Sequence, residues 1–217
     1  MENLEQKEID RYWSDGAENY SWIIDDELSS FRVKKWTKKI TENISSSQKP
    51  KILDAGCGPG FFTIILNQAC METVGIDGAE KMLQEARLKA ARLGLAPVFR
   101  KMDCHQLDFA DNTFDAVISR NLTHTLRDHK KVYKEWLRVL KPGGTLLIFD
   151  ANWHLTECDE KLRTESLKRR EECIRLYGDA FDKKSNLKDT EEHERKVGSH
   201  VLGDRKRPDW DMGLLQG

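Results

Sequence analysis

The sequence has no long apolar run and no paired cysteine motif. No stretch approaches the roughly 18 apolar residues that a transmembrane helix needs, and the opening segment MENLEQKEID is polar, unlike a secretory signal. The five cysteines form no CxxC pair, and no Cys/His cluster has the spacing of a zinc site. These absences predict free thiols, a reducing cytoplasmic compartment and no bound metal.

Net charge is also nearly absent. Lys and Arg number 36 and Asp and Glu number 37, so the formal charge is −1 and gives no basis for a nucleic-acid or membrane-surface partner. The charged share of 34% is high and the apolar share of 38% is low for a globular chain. Because the charges are unevenly distributed, we expect one core with a very polar appendage.

Residues 1–49 show the pattern of an N-terminal helical segment. Leu28, Phe31, Val33, Trp36 and Ile40 recur at roughly helical spacing, with lysines on the other face. The segment SSSQKP then predicts a break before an extended entry to the next element.

Residues 50–153 alternate between strand and helix patterns. The predicted strands are KILDA, TVGID, APVFRKMD, FDAVISR and TLLIFDAN, and the intervening helices include FFTIILNQAC, AEKMLQEARLKAARLG and DHKKVYKEWLRVL, the last closed by a KPGG loop. Strands that alternate with helices of this length predict an α/β fold with a doubly wound, mostly parallel sheet.

Residues 154–217 have a different character. They are dense in charges of both signs, with one helix predicted over ECDEKLRTESLKRREECIRLYG that carries only a thin apolar stripe. The rest is too polar for a core of its own, so we expect a charged helical cap over the domain that precedes it.

Three of the 14 glycines, Gly56, Gly58 and Gly60, fall within five positions at the end of the first predicted strand. A strand that turns sharply into a helix exposes backbone N–H groups and the positive end of the helix dipole. Glycines there let a ligand approach the backbone without meeting a Cβ atom. In a doubly wound sheet, this turn is where ligands bind.

The spacing of these glycines indicates which class of ligand the turn would bind. It is G-x-G-x-G, whereas a dinucleotide turn reads G-x-G-x-x-G, and Phe61 stands where the third glycine would be. The acid Asp54 precedes the turn and suits a cationic ammonium better than a pyrophosphate. No Gly-Lys-Ser/Thr follows, which excludes a Walker phosphate loop.

The stretch LDAGCGPG resembles the first motif of class I S-adenosylmethionine-dependent methyltransferases, in the small-molecule, methyltransferase type 11-like branch. VGID at 74–77, MDCHQLDFADNTFDAVIS at 102–119 and VLKPGGTLLI at 139–148 resemble later motifs of that family in the same order, and AENY at 17–20 fits more weakly. The resemblance covers about residues 50–150. It implies a Rossmann-like fold, S-adenosylmethionine as methyl donor and S-adenosylhomocysteine as product.

The resemblance also implies which residues hold the cofactor. Asp77, about twenty residues past the glycines, would accept the ribose hydroxyls, with Gly78 leaving room for the sugar; the alternative is a helix N-cap. Asp103 would accept a hydrogen bond from the adenine amino group; the alternative is that it is an ordinary acidic residue of a turn. The full set of expected cofactor contacts is Tyr20, Asp54, Gly56, Cys57, Gly58, Gly60, Asp77, Gly78, Met82, Asp103, Cys104, His105, Ser119 and Arg120.

The sequence gives fewer signals for the residues that would contact the methyl acceptor. His124 is the candidate general base, with a hydrogen-bonded structural histidine as the equal alternative, and a base helps only when the acceptor carries a proton of high pKa. Asn121, His124, Asp150 and Trp153 are expected to line the pocket of a small-molecule acceptor. The acceptor itself cannot be read from these residues.

The sequence departs from the family at its C-terminal end. The family's sheet closes with two further strands, whereas RPDWDMGLLQG resembles only the start of the helix before them. An uncovered fifth strand would be a pairing hazard, so we expect a homodimer or reduced stability. The alternatives to a methyltransferase are a relative that binds the cofactor without turnover and an NAD(P)-dependent oxidoreductase, which Asp54 and the glycine spacing disfavour.

Overall fold

The computed structural model describes residues 2–44, 49–152, 159–177 and 206–216 of the 217-residue chain. The described chain divides into two compact units, residues 1–150 and 151–217. Trp153, which the sequence predicts in the acceptor pocket, lies outside the described residues.

The first unit is an α/β domain preceded by three helices. In chain order its elements are α1 Glu2–Asp15, α2 Ala17–Leu28, α3 Arg32–Thr41, β1 Lys51–Ala55, α4 Phe61–Gln68, β2 Glu72–Asp77, α5 Glu80–Arg92, β3 Val98–Lys101, β4 Phe114–Arg120, a 3₁₀ turn Thr123–Thr125, α6 His129–Val139 and β5 Leu140–Phe149. The strands form one sheet in the order β3-β2-β1-β4-β5, and every pair is parallel. The predicted doubly wound sheet is confirmed.

The register of the sheet brings the carboxyl ends of its strands to one edge. Ala55 at the end of β1 pairs with Ile76 of β2 and Ser119 of β4, and Asp77 pairs with Lys101 of β3. The strand order reverses between β2-β1 and β4-β5, and this reversal is where open α/β sheets bind ligands. Side chains that follow these strands therefore share one edge of the domain.

The N-terminal helices pack on this sheet through part of the predicted apolar face. Ile24 of α2 and Ile40 of α3 are buried in the same cluster as Ile52 of β1. Phe31, expected on that face, is 65% exposed. The helical pattern is interrupted between α2 and α3, and Phe31 lies in the break rather than on a helix face.

Strand β5 begins earlier than the sequence predicts. The segment KPGG was expected to be a loop, but β5 starts at Leu140, which pairs with Phe114 before the register jumps to Ala116 with Thr145. Gly143, with φ of 76°, lies within this irregularity. Among the described residues, β5 pairs with β4 alone, and dimerisation at this edge stays a prediction.

The second unit contains two described helices, α7 Glu160–Tyr177 and α8 Asp209–Gln216. Helix α7 lies where the sequence predicts a charged helix, and it exposes Leu167 and Leu176. Asp211 of α8 accepts a hydrogen bond of 2.6 Å from Arg207. Across both units, no described helix has the length and hydropathy needed to cross a bilayer.

Candidate functional site

The turn after β1 is built on three glycines with positive φ. Gly56, Gly58 and Gly60 have φ of 71°, 51° and 88°. A Cβ atom on Gly56 would meet Leu122 at 2.7 Å and one on Gly60 would meet Ala86 at 2.9 Å, so both positions exclude a side chain. A Cβ atom on Gly58 would meet only Tyr20, at 3.7 Å, so this side of the turn is the open one.

Asp77 at the end of β2 holds this turn from the neighbouring strand. Its Oδ2 accepts a hydrogen bond from the N–H of Gly58 and its Oδ1 from the N–H of Ala79, each at 2.9 Å. Burial raises the pKa of Asp77 to about 6, against the effect of these hydrogen bonds, and the nearby charge of Asp10 raises it further. Each carboxylate oxygen retains acceptor capacity toward a ligand hydroxyl.

Asp54, at 2% exposure, ties β1 to the first turn of α4. Its Oδ2 accepts hydrogen bonds from the N–H and the hydroxyl of Thr63, at 2.9 and 2.6 Å. Burial raises the pKa of Asp54 to about 6, although these bonds lower it, and the charge of Asp77 adds to the rise. The predicted contact between Asp54 and the cofactor stays a prediction.

Asp103, which follows β3, accepts hydrogen bonds from two neighbouring residues. Its Oδ1 accepts from the N–H and Nδ1 of His105, at 2.9 and 2.6 Å, and its Oδ2 accepts from Arg127 at 2.8 Å. Burial opposes ionisation of Asp103, but these bonds and the adjacent charges outweigh it and lower its pKa. His105 Nε2 accepts from the N–H of Asp128 at 3.2 Å, which assigns the ring proton to Nδ1.

Arg120, at the end of β4, forms an ion pair that the sequence did not predict. Its guanidinium donates two hydrogen bonds, of 2.7 and 2.8 Å, to the carboxylate of Glu27 on α2. The guanidinium also lies over the rings of Trp36, Phe61 and Phe62, 5.2 to 5.6 Å from their centroids. Glu27 had no sequence signal, because it is one acid among several on α2.

Tyr20 of α2 lies beside this pair, near the open side of the turn. Burial raises the pKa of the Tyr20 phenol, although a hydrogen bond with Asn121 lowers it. Helix α2 therefore brings Tyr20 close to the glycine turn and Glu27 to the end of β4, and the predicted contact of Tyr20 with the cofactor stays a prediction.

Several of the predicted cofactor residues have side chains committed to the protein itself. The hydroxyl of Ser119 donates to the carbonyl of Ala55 at 3.0 Å, and Met82 is buried against Ala17 and Ala79. The thiols of Cys57 and Cys104 are buried, and burial raises the pKa of each. While this bond is intact, the Ser119 hydroxyl has no hydrogen to donate to a ligand.

His124 and Asp150 meet at the carboxyl ends of β4 and β5. His124 Nδ1 lies 3.4 Å from Asp150 Oδ1, and both side chains are under one-tenth exposed. The hydroxyl of Thr123 and the N–H of His124 donate to Asp150 Oδ2. Nε2 of His129 contacts the carbonyl of Thr123 at 2.7 Å, so the 3₁₀ turn is held from both sides.

Comparisons with known proteins find similarity to methyltransferases. The family model described as "Methyltransferase domain" matches residues 53–148. The chain is 33% identical to phosphatidylethanolamine N-methyltransferase of Cereibacter sphaeroides over 129 residues, which are 58% of this chain and 63% of that enzyme. It is 29% identical to phosphoethanolamine N-methyltransferase 3 of Arabidopsis thaliana over 141 residues, 64% of this chain and 29% of that enzyme. The chain thus spans less than two thirds of either relative.

Solved structures show the same fold. The PH0226 protein of Pyrococcus horikoshii is 29% identical, with a TM-score of 0.53, over 61% of this chain and 64% of its own. A candidate S-adenosylmethionine-dependent methyltransferase of Methanococcus maripaludis is 20% identical, with a TM-score of 0.58, over 87% of this chain and 84% of its own, and supports the fold alone. Residues 53–148 are therefore similar to methyltransferase domains, and the solved structures share the fold of this part of the chain.

Proposed function

We propose that the protein is an S-adenosylmethionine-dependent methyltransferase that acts on a small-molecule acceptor. The observation that carries this proposal is the hydrogen bond between Asp77 and the N–H of Gly58, which joins the acid at the tip of β2 to the glycine turn after β1. A ligand that reached both would lie across the point where the strand order reverses. The names of the relatives, which are N-methyltransferases, support the same chemistry.

The residues present fit this cofactor better than a dinucleotide. S-adenosylmethionine carries an ammonium and a sulfonium, and the turn is flanked by the carboxylates of Asp54 and Asp77, whereas a pyrophosphate would be repelled by them. Asp103 keeps acceptor capacity at Oδ2 beside Arg127, which fits the predicted bond from the adenine amino group. When bound, the cofactor supplies an electrophilic methyl group, so the protein needs no redox or acyl-transfer machinery.

The protein's own residues then have to align the acceptor with the methyl group and exclude water from the site. Asn121, His124 and Asp150 are the described side chains that we expect beside the acceptor, and Trp153, also predicted there, lies outside the described residues. Asp150 Oδ1 lies 3.4 Å from His124 Nδ1, and this carboxylate is proposed to orient the ring so that Nε2 can take a proton from an ammonium or hydroxyl acceptor. An acceptor that needs no deprotonation would use His124 for positioning alone.

We also infer that the reaction takes place in the reducing cytoplasm. Cys57 of the glycine turn and Cys104 beside Asp103 are both free and buried at the proposed cofactor site. Oxidation of either thiol would enlarge it within a packed site, and a reducing compartment prevents that.

Calorimetric titration with S-adenosylhomocysteine tests the cofactor. We expect low-micromolar binding by the wild type, its loss in Asp77→Ala, and no change in Asp108→Ala, an exposed aspartate that serves as the control. Absence of heat with S-adenosylhomocysteine but heat with NAD would replace the proposal by the oxidoreductase alternative. Cofactor binding with no turnover in a screen of metabolites for methyl acceptance would instead support the binding-only alternative.

A further inference from the structure

Helix α1 places a carboxylate against the tip of β2. The Asp10 side chain fills the space beside Gly78 so closely that a Cβ atom on Gly78 would lie 2.2 Å from Asp10 Oδ1 and 3.0 Å from Asp10 Cγ. Gly78 follows Asp77 directly, at the position that was expected to leave room for the ribose. That room is bounded by Asp10, so the lack of a side chain at residue 78 serves the approach of α1.

A second contact fixes the same face of α1 at the neighbouring strand. Gln6, one turn before Asp10, accepts a hydrogen bond of 2.8 Å from Nε of Arg127, and Arg127 also donates to Asp103 Oδ2 at 2.8 Å. Gln6 Nε2 in turn donates to Asp10 Oδ1 at 2.8 Å. Residues 6 and 10 share one helix face, which therefore lies along the tips of both β2 and β3.

This arrangement sets two carboxylates beside one glycine. Asp10 and Asp77 flank Gly78, and the like charge of Asp10 disfavours ionisation of Asp77. Two carboxylates in proximity cost free energy unless donors lie between them. A vicinal diol supplies two hydroxyl donors, and hydrogen bonds from donors to charged acceptors are the stronger kind.

We propose that Asp10 accepts a hydrogen bond from a ribose hydroxyl of the bound cofactor, so that α1 contributes one wall of the cofactor site. The inference rests on the proposed function, because the sugar is that of S-adenosylmethionine. Asp77 takes one hydroxyl and Asp10 the other, while Arg127 holds α1 in place through Gln6. The N-terminal segment then selects for an intact ribose as well as covering the site.

The test is a thermodynamic cycle in which a substitution in the protein is combined with removal of one hydroxyl from the ligand. Binding of S-adenosylhomocysteine and of its 2′-deoxy and 3′-deoxy analogues is measured by calorimetry for the wild type and for Asp10→Ala. Asp15→Ala is the matched control, because Asp15 lies on the same helix and, among the described residues, pairs with the surface cations Arg11 at 3.8 Å and Lys81 at 3.6 Å. Alanine favours the helix at either position, and circular dichroism verifies that α1 is retained.

We expect Asp10→Ala to weaken S-adenosylhomocysteine binding about tenfold. One deoxy analogue should bind the wild type about tenfold more weakly than the parent, and this penalty should largely vanish in Asp10→Ala, since the partner of the missing hydroxyl is gone. A purely structural role for Asp10 would leave the penalty unchanged.

Two results would overturn the inference while leaving the proposed function intact. The first is a deoxy penalty that is equal in wild type and Asp10→Ala. The second is tighter binding by Asp10→Ala, which would show that Asp10 obstructs the sugar. If the wild type binds no S-adenosylhomocysteine, the proposed function fails, and the role of Asp10 fails with it.

Discussion

At the scale of single residues, three acids near the ends of strands make different contacts. Asp54 bonds α4 through Thr63, Asp77 bonds the glycine turn, and Asp103 is held by His105 and Arg127. The sequence singled out all three, because each lies at or near the end of a predicted strand in a segment that resembles a family motif, and their contacts with the cofactor stay predictions. Their partners could not be predicted in the same way, since Arg127 lies 24 residues from Asp103 and only the tertiary fold brings them together.

His124 illustrates the same limit on the acceptor side. The sequence left a general base and a structural histidine equally open, and it placed Asp150 in the pocket without relating the two. The structure joins them, because the carboxyl ends of β4 and β5 are neighbours in the parallel sheet. A carboxylate at Nδ1 is the arrangement that fixes the tautomer of a catalytic histidine.

Asp150→Asn tests whether this arrangement matters for turnover. We expect kcat to fall by about 10²-fold, within the range for loss of acid–base catalysis, because an amide no longer fixes the proton on Nδ1. Affinity for S-adenosylhomocysteine should change little. The measurement is steady-state kinetics across pH with an acceptor found in the metabolite screen, and the control is Asp111→Asn, at a surface ion pair with Arg138. Wild-type turnover and an unchanged pH profile in Asp150→Asn would leave His124 with a structural role.

At the scale of elements, α2 is fastened to the domain by two charged contacts. Lys89 of α5, at 1% exposure, donates to Ser21 at 2.6 Å and pairs with Asp25 at 2.8 Å. Glu27 pairs with Arg120 further along the same helix. A buried lysine is rare unless it is paired, so Lys89 could not be assigned to the interior from a sequence that places it among exposed helix residues.

The Glu27–Arg120 pair gives a prediction for the attachment of α2. Glu27→Gln should lower the free energy of unfolding by about 2 kcal/mol, less than the 3–5 kcal/mol typical of a fully buried pair, because the Arg120 side chain keeps 21% of its exposure. The loss arises because Arg120 would remain partly buried without its counter-charge. Urea unfolding measures the change, and Glu18→Gln, at an exposed position of the same helix, is the control. Equal stability of the two variants would mean that the pair contributes nothing to docking.

The elements themselves were largely predictable, and the two misplacements have physical causes. Apolar spacing continued across the break between α2 and α3, because both helices bury a stripe against the same core, so one helix pattern described two helices. Pro142 and Gly143 favoured a loop, yet β5 tolerates them within a register irregularity against β4. Periodicity reports which side chains are buried, and it is less sensitive to where the backbone changes direction.

At the scale of the whole molecule, the two carboxylates of the site whose pKa is raised, Asp54 and Asp77, oppose the carboxylates whose pKa is lowered in their dependence on pH. Asp54 and Asp77 have a raised pKa of about 6, so the folded state binds more protons than the unfolded state between about pH 4 and pH 6. Their contribution to stability is present at low pH and is lost as the pH rises through 6. The lowered pKa of Asp115 and Glu135 acts in the opposite sense, contributing stability that is lost as the pH falls.

Asp54→Asn separates the cost of the buried charge from the hydrogen bonds that accompany it. Both bonds from Thr63 reach the single oxygen Oδ2, so an amide oxygen can accept them while the charge is removed. The free energy of unfolding of the variant, relative to that of wild type, should rise by up to about 3 kcal/mol between about pH 4 and pH 7.5. Only the wild type carries a carboxyl whose pKa is about two units higher in the folded than in the unfolded state, and its ionisation lowers wild-type stability over this range. Thermal and urea unfolding at both pH values measure the gain, with Asp108→Asn as the exposed control. A difference between variant and wild type that stayed constant with pH would mean that Asp54 is not a buried charge in solution. The tip of β1 would then lack the negative charge that the proposed preference for a cationic cofactor requires.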